Sequence, residues 1–315
     1  MTAIRIATRG SRLALWQAGW VRDRLAAAWP GRPLEIFKIE TRGDRLLDQP
    51  LPQIGGKGLF TEALGHALLA GDADLAVHSL KDLPTELPAG LKVGAVCERE
   101  DARDVWLARA DGPASPAELQ AGMVVGTSSE RRRAQVLALR PDVKVRPIRG
   151  NVETRLRKLD EGGYDALIMA AAGLTRLGFR DRINAYLDPP DWLSAPGQGA
   201  IAVECRSEEP ALDELLDPIE DAAARAETDA ERALLARLQG GCQVPVGARA
   251  RVVQGDLRLE ALVALADGSR VIRADGCGLP ERAVELGIEV ADHLLARGGD
   301  AIVATFRAIG QKGSP

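Results

Sequence analysis

Short apolar runs alternate with amphipathic stretches along the first two thirds of the chain. The apolar runs predict two series of strands, at 4–8, 34–39 and 73–78, and then at 123–126, 143–148 and 164–169. Helical patterns follow these runs, and the first begins after Ser11, a residue type that caps helices. Strands that alternate with helices form mainly parallel sheets covered by those helices. The pattern therefore predicts two successive α/β units.

The charged segment CEREDARD, at 97–104, separates the two series and indicates a domain boundary. The pattern changes again after Pro210. Three alternating runs, separated by the turn sequences QGD and DGS, predict an antiparallel sheet at 247–253, 257–264 and 270–275. Predicted helices precede and follow this sheet, at 222–238, 281–296 and 300–309. The last part of the chain is therefore predicted to be an α+β domain.

Length and composition are typical of a globular protein with more than one domain. The 315 residues exceed one compact core of ordinary size, and 46% are apolar and 27% charged. The N-terminal sequence lacks the layout of a signal peptide, and the longest apolar run, at 166–172, is far below the ~20 residues of a membrane span. The four cysteines form no C-x-x-C pair. These features favour a cytoplasmic enzyme or binding protein without membrane association, disulfide framework or zinc site.

Positive charge is concentrated in one segment of a chain whose net charge is −4. From Arg131 to Lys158, ten basic residues stand against two acidic ones, a local charge of +8. Most are arginines, whose planar guanidinium binds carboxylate or phosphate through two hydrogen bonds. Thr127 and Ser129 precede one predicted helix and Arg149 the next, and helix N-termini bind anions. The segment predicts a site for a small polyanion, although about half of such arginines belong to a solvated basic face.

Other kinds of site receive less support. GGKGLF does not fit the phosphate-loop pattern, no G-x-G-x-x-G follows the first strand, and the three histidines lack metal-ligand spacing, so no metal is expected. Aromatic residues make up 3% of the chain, which disfavours a nucleic-acid groove lined by stacking side chains. Cys242 lies in the glycine-flanked loop LQGGCQVPVG, which a ligand can reach. Composition alone nevertheless favours an inert cysteine there, by about four to one.

Nine stretches of the sequence resemble the porphobilinogen deaminase (hydroxymethylbilane synthase) family. They occur in order over about residues 4 to 250: ATRGSRLALWQ, GGKGLF, AVHSLKDLPTELPAGL, CEREDARD, GTSSERRRAQ, IRGNVETRLRKL, AAAGLTRLG, SAPGQGAIAVECR and ERALLARLQGGCQVPVGA. The last sixty residues or so match only in general pattern. One departure from the family lies in GTSSERRRAQ, where Glu130 replaces an expected apolar residue and Arg133 follows the expected arginine pair.

The resemblance implies a three-domain α/β architecture. Two periplasmic-binding-protein-like (type II) α/β domains would lie around a cleft, with a smaller α+β C-terminal domain that contains a three-stranded antiparallel sheet. Domain 1 would comprise residues 1–98 plus 197–215, since the family's chain returns there. Domain 2 would comprise residues 99–196, and domain 3 residues 216–315.

The resemblance also implies the activity. The family joins four porphobilinogen molecules head to tail with loss of ammonia, and hydrolysis then frees the linear tetrapyrrole hydroxymethylbilane, a step of porphyrin and heme biosynthesis. The reaction takes place on a covalent dipyrromethane cofactor attached by a thioether to the cysteine that Cys242 matches. The expected protein is a cytoplasmic, monomeric transferase whose partners are porphobilinogen and the growing polypyrrole chain, without nucleic acid or membrane.

Individual residues match the family's functional positions. Asp82, in ADLAVHSLKDLP, matches the catalytic aspartate, which would stabilise positive charge on pyrrole nitrogens and shuttle protons. Lys81 and Ser79 would bind carboxylates and so leave Asp82 for the cation. The implied cofactor-binding residues are Ser79, Lys81, Thr127, Ser129, Arg131, Arg132 and Arg155, together with Asp44 and Gln198. The implied substrate-binding residues are Arg9, Ser11, Lys57, Phe60, Arg149 and Arg176.

Several alternatives stay open at this point. Phe60 also suits a core position, Gln198 a structural amide, and Asp82 a surface ion pair, the last at about one in ten. Two other functions are compatible with parts of the pattern. A non-catalytic anion-binding protein of the periplasmic type would share the two-lobed architecture, and a nucleic-acid-binding protein would use the segment 131–158 with steep salt dependence.

Overall fold

The computed structural model describes residues 3–40, 61–238 and 244–312, with side chains up to residue 306. The chain divides into two compact units, Met1–Glu100 with Gly199–Arg225 and Asp101–Gln198 with Ala226–Pro315. The division into three domains with the limits given above stays a prediction. None of the helices in the described ranges combines the length and apolarity that crossing a membrane requires.

The described elements alternate as the sequence pattern indicates. The strands are β1 Ile4–Thr8, β2 Leu34–Lys38, β3 Leu75–Ser79, β4 Leu91–Val96, β5 Asp104–Ala108, β6 Val124–Gly126, β7 Lys144–Arg146, β8 Ala166–Ala170, β9 Ala185–Leu187, β10 Ile201–Arg206, β11 Val246–Val253, β12 Asp256–Ala264 and β13 Val271–Gly278. The helices are α1 Arg12–Ala28, α2 Glu62–Leu69, α3 Glu130–Leu139, α4 Val152–Asp160, α5 Ala171–Arg176, α6 Pro210–Leu216, α7 Ala222–Arg237, α8 Ala283–Leu294 and α9 Asp300–Lys312.

The first unit is built on a five-stranded sheet with the order β2-β1-β3-β10-β4. α1 packs against this sheet through Ala18, Val21 and Leu25, because these residues lie on one helix face. Leu64 and Leu68 of α2 belong to a second apolar cluster of the same unit. β3 is the central strand, and its side chains are buried from its start until Ser79, which is partly exposed. The chain thus emerges from the core immediately before Lys81 and Asp82.

The second unit contains another five-stranded sheet, with the order β7-β6-β8-β5-β9. Trp106 of β5 is fully buried, and its indole N–H donates to the Pro113 carbonyl at 2.7 Å. α3 contributes Val136 to the apolar cluster around Trp106, whereas α4 contributes Leu156 and Leu159 to a second cluster. The N-termini of both helices follow short strands, β6 and β7, directly along the chain.

A three-stranded antiparallel sheet, β11-β12-β13, follows in the second unit. α7 and α8 bury their apolar faces against it, with Leu234, Leu286 and Val290 in the shared cluster. This arrangement confirms the predicted α+β character of the last part of the chain. The α/β class of the preceding part is confirmed by the two five-stranded sheets.

The expectation of mainly parallel sheets is wrong for half of the strand pairings. Each five-stranded sheet has two parallel and two antiparallel pairings, and the antiparallel ones involve β10 in the first unit and β5 in the second. Local sequence signals obscured β10, because the Pro and Gly residues of SAPGQG indicate a crossover immediately before it. Insertion of such a strand between β3 and β4 depends on contacts far apart in the sequence, which periodicity does not reveal.

Candidate active site

The stretch after β3 forms an anchored turn that presents two charged side chains. Residues Leu80–Asp82 form one 3₁₀ turn, in which the backbone N–H of Leu80 donates to the Ala200 carbonyl at 3.0 Å. Leu80 and Leu83 are buried, whereas Lys81 and Asp82 between them are exposed. The apolar side chains therefore fix the backbone while the acid and the base point outward. This geometry fits a carboxylate that acts on a ligand.

The side chain of Ser79 is hydrogen-bonded by Gln17, a residue that was not among the predicted site residues. Gln17 of α1 is buried, and its side-chain amide N–H donates to Ser79 Oγ at 2.9 Å. On the same strand, His78 Nε2 lies 3.0 Å from Glu204 Oε2 of β10, and both side chains are buried. Gln17 lies four positions before Val21, on the apolar face of α1. A polar residue on that face was the sequence signal that could have indicated it. The end of β3 is thus fixed through side chains on two neighbouring elements.

The other predicted residues of the first unit lie at the β1–α1 junction. Ser11 caps α1, since its Oγ accepts a hydrogen bond from the Ala14 N–H at 3.2 Å. Arg9 is partly exposed two residues before this cap. The hydroxyl of Ser11 therefore has a structural role irrespective of its predicted contact with substrate. Asp44, Lys57, Phe60 and Cys242 lie outside the described residues.

The N-terminus of α3 is organised by hydroxyl groups. Ser129 caps the helix by accepting from the Arg132 N–H at 3.4 Å, and Thr127 Oγ1 accepts from the Ser129 N–H at 3.1 Å. Ser128 donates its hydroxyl hydrogen to the Ile148 carbonyl at 2.8 Å, which ties this turn to the segment before α4. Thr127 and Ser129 thus use acceptor positions within the protein, and their hydroxyl hydrogens are the groups suited to an anion.

Arg131 and Arg132 share one buried carboxylate, that of Asp104. Arg131 Nη1 donates to Asp104 Oδ2 at 2.6 Å, and Arg132 Nη2 donates to Asp104 Oδ1 at 2.7 Å. Asp104 is 0% exposed, and the arginines are 5% and 7% exposed. Burial alone would raise the pKa of Asp104, but the two guanidinium charges and their hydrogen bonds hold it well below the ordinary value. The carboxylate is therefore ionised and compensates one of the two positive charges.

Trp192 and Gln198 complete the surroundings of Asp104. The indole N–H of Trp192 donates to Oδ2 at 2.9 Å, and the amide of Gln198 donates to Oδ1 at 2.8 Å and to the Ala102 carbonyl at 2.7 Å. The Gln198 amide nitrogen therefore has a structural role at this position. Asp104 was missed by the sequence analysis. Its one local signal was an acid directly before the apolar run VWLA, at the point where a buried strand begins.

Arg149, Arg155 and Arg176 are the partly exposed cations among the predicted residues of the second unit. Arg155 Nε donates to the Gly150 carbonyl at 2.9 Å, and Lys158 Nζ donates to the Arg149 carbonyl at 3.1 Å. Both bonds fix the turn before α4, whose N-cap is Asn151. Arg176 lies in the last turn of α5. Arg149 thus lies on a braced turn, whereas Arg155 and Arg176 lie within helices.

The basic segment does not form one continuous positive surface. Arg131 and Arg132 are internal, Arg140 pairs with Asp142, and Arg157 pairs with Glu161. A nucleic-acid groove requires a row of cations open to the phosphate backbone. The arrangement suits a small anionic ligand that is bound by a few of these guanidiniums.

The three cysteines in the described ranges are poor candidates for cofactor attachment. Cys97 and Cys205 are buried, and burial raises the pKa of the Cys205 thiol to about 11. Cys277 is exposed on β13, away from the predicted site residues in the sequence. A thiol that is both protonated and buried is a weak nucleophile. Among the described residues, no three His, Cys, Asp or Glu side chains are grouped as a metal site would require.

Two solved structures resemble part of the chain at low similarity. One is the periplasmic VFT2 domain of BvgS from Bordetella pertussis, with a TM-score of 0.43 and 16% identity over 69% of this chain and 86% of that one. The other is the second substrate-binding domain of a putative amino acid ABC transporter from Streptococcus pneumoniae, with a TM-score of 0.43 and 13% identity over 69% of this chain and 92% of that one. Neither likeness bears on function.

Comparison of sequences gives a much higher similarity, and two family models match the chain. Porphobilinogen deaminases from Syntrophobacter fumaroxidans and Pelobacter propionicus are each 49% identical, over 95% of this chain and 96% of theirs. The model described as "Porphobilinogen deaminase, dipyromethane cofactor binding domain" matches residues 4–214, and that described as "Porphobilinogen deaminase, C-terminal domain" matches residues 226–296. With two family models over most of its length and relatives at this identity, the chain belongs to the porphobilinogen deaminase family, whose members are transferases.

Proposed function

We propose that this chain joins four porphobilinogen molecules head to tail on a dipyrromethane attached to Cys242, and then releases hydroxymethylbilane by hydrolysis. The observation that carries this proposal is the 49% identity to porphobilinogen deaminases over 95% of the chain. We further propose that the protein works as a monomer in the cytoplasm, with porphobilinogen and the growing chain as its ligands and without nucleic acid.

The second unit fits a ligand with several carboxylates. Among the described residues, the buried Nε atoms of Arg131 and Arg132 have no hydrogen-bond acceptor, and the guanidiniums have only Asp104 as their shared counter-charge. Two pyrrole rings with an acetate and a propionate each would supply the missing negative charge. The dipyrromethane, when bound, supplies the electron-rich pyrrole carbon from which the chain is extended.

The cationic side chains of the predicted site would bind the carboxylates of the ligand. A charge-assisted hydrogen bond contributes roughly 1.5–3 kcal/mol, so the four carboxylates of two rings correspond to about 6–12 kcal/mol before ordering costs. The residues proposed to hold the dipyrromethane are Ser79, Lys81, Thr127, Ser129, Arg131, Arg132 and Arg155, with Asp44 and Gln198. Those proposed for incoming porphobilinogen and the extended chain are Arg9, Ser11, Lys57, Phe60, Arg149 and Arg176.

Asp82 would perform the acid–base and electrostatic work. Porphobilinogen loses ammonia after its amine accepts a proton, and the ring that remains carries positive charge on its nitrogen. A carboxylate directed at the pyrrole N–H groups stabilises this charge more strongly as it develops. The exposed position of Asp82 on a backbone fixed by Leu80 and Leu83 supports this role. Lys81 and Ser79, which precede it, would hold carboxylates and keep Asp82 available for the cation.

Native mass spectrometry with porphobilinogen tests the proposal. Successive additions of pyrrole units to the wild-type protein are expected, and Arg149→Ala should slow at least one addition by about 10- to 100-fold, since one charge-assisted contact is lost. The slowed step should appear as an intermediate that accumulates at a fixed ring number.

Arg157→Ala is the matched control for Arg149→Ala. Arg157 lies in the same basic segment, but it is exposed and pairs with Glu161 across one turn of α4, so its removal should leave the intermediates as in the wild type. Identical intermediates in the wild type and Arg149→Ala would eliminate Arg149 from chain growth. A wild-type protein that gains no pyrrole units would contradict the proposed function itself.

A further inference from the structure

The turn between β12 and β13 packs directly on the backbone of α3, the helix that begins with Arg131 and Arg132. A Cβ atom placed on Gly268 would lie 2.6 Å from the Ala134 carbonyl oxygen and 2.7 Å from the Leu137 carbonyl carbon, and closer still to the Ala138 nitrogen. No side chain fits between the two backbones. The φ angle of Gly268, +72°, is also one that other residues rarely adopt.

Apolar side chains surround this backbone contact. Ala134 of α3 clusters with Leu193, Leu262 and Ala264, and Val271 packs against the cluster. Leu262 and Ala264 end β12 and Val271 begins β13, so the cluster joins both strands beside the turn to the helix. The Leu193 carbonyl also accepts a hydrogen bond from Arg131 Nη1 at 2.6 Å. The contact thus reaches the arginine pair through one shared residue.

An electrostatic interaction accompanies the packing. Ser269 donates from its hydroxyl at 2.7 Å and from its backbone N–H at 3.0 Å to Asp267 Oδ1. These bonds lower the pKa of Asp267, and the charge of Arg133 on α3 contributes to the same effect. Arg133 is the residue that departs from the family pattern after the arginine pair. The charge of Arg133 thus acts on the turn.

We propose that the turn 265–270 positions α3, and that Gly268 is therefore a positioning residue for Arg131 and Arg132. This inference rests on the proposed function, in which those arginines hold carboxylates. The two bonds from the arginines to Asp104 are short and both depend on where α3 lies. A displacement of the helix by a side chain at position 268 alters both bonds together.

Gly255 provides a matched control in the turn between β11 and β12. Its φ of +90° imposes a similar backbone strain on alanine, but a Cβ there would meet nothing within 4 Å. Both variants place an alanine at a positive φ, but only the new Cβ of Gly268→Ala clashes with the backbone of α3. Any effect that both variants share reports on the sheet alone.

Hydrogen exchange of the α3 amides in the folded full-length protein tests the proposal. Gly268→Ala should accelerate exchange in α3 by about 10-fold or more, and Gly255→Ala by less than about 2-fold. Gly268→Ala should also retain less dipyrromethane than Gly255→Ala in the intact mass, because Arg131 and Arg132 are proposed to hold it. Equal α3 exchange in the two variants overturns the inference.

Two further outcomes separate this inference from the proposed function. If the wild type does not consume porphobilinogen, the proposed function fails, while α3 exchange still decides the positioning role of the turn. If Gly268→Ala does not accumulate as folded protein, Val271→Ala decides, because Val271 follows the turn directly and packs against the cluster that contains Ala134 of α3. This variant should accelerate α3 exchange by about 3-fold, and exchange equal to that of the wild type overturns the inference.

Discussion

Asp82→Asn is expected to lower turnover by about 10³-fold or more while the dipyrromethane stays attached. Loss of an electrostatic group aimed at the developing charge costs about 10²–10³-fold, and loss of general acid–base catalysis adds to this. The backbone around Asp82 is held by Leu80, Leu83 and the Ala200 carbonyl, none of which the substitution touches. The unfolding midpoint should therefore be unchanged. Single-turnover kinetics with porphobilinogen, alongside the intact mass, measure both effects.

Glu86→Gln is the control for Asp82→Asn. Glu86 is an exposed carboxylate four positions further along the same segment, so the variant makes the same chemical change outside the proposed site. Its turnover should equal that of the wild type. Unaltered turnover in Asp82→Asn would remove this aspartate from the mechanism, and loss of the attached dipyrromethane in that variant would assign it a binding role instead.

Asp104→Asn is expected to have the largest effect on stability. Removal of the carboxylate leaves two buried guanidiniums without a counter-charge, and breaking a buried ion pair in this way costs about 3–5 kcal/mol. The free energy of unfolding, measured by urea denaturation at neutral pH, should fall by this amount. Less dipyrromethane should be retained, because Arg131 and Arg132 lose the group that fixes them.

The pH dependence of unfolding gives an independent test of Asp104. Its pKa in the folded protein lies below its unfolded value of about 3.9, so its contribution to stability is present above about pH 4 and is lost as the pH falls below it. Asp104→Asn should remove this part of the acid sensitivity. The control Asp142→Asn breaks the exposed pair with Arg140 and should match the wild type. A variant at Asp104 no less stable than the control would contradict the role of the buried carboxylate.

The sequence revealed the parts of the site that depend on local pattern. An apolar run followed by charged residues predicted that β3 leaves the core just before Lys81 and Asp82, and the structure has this arrangement. Ser11 likewise predicted the cap of α1, and the hydroxyl residues Thr127 and Ser129 were predicted to precede a helix, which the structure has as α3. These features follow from residues within a few positions of one another, which is the range that periodicity and capping rules cover.

The buried polar network was beyond the reach of the same reasoning. Asp104 receives hydrogen bonds from residues 27, 28, 88 and 94 positions away, so no local pattern indicates that they meet. A count of charges placed Arg131 and Arg132 in a positive patch, whereas the structure buries them around an acid. Gln17 beneath Ser79 was likewise hidden, because the two residues are 62 positions apart. Tertiary contacts decide which charges face a ligand.

The intact mass of the purified protein tests the central claim most directly. If a dipyrromethane is attached through Cys242, the wild type should weigh more than its polypeptide by two linked pyrrole units, and Cys242→Ser should have the bare polypeptide mass. The same measurement after addition of porphobilinogen should show further units on the wild type alone. A wild type with only the polypeptide mass, unchanged even after incubation with preformed tetrapyrrole and porphobilinogen, would contradict the account.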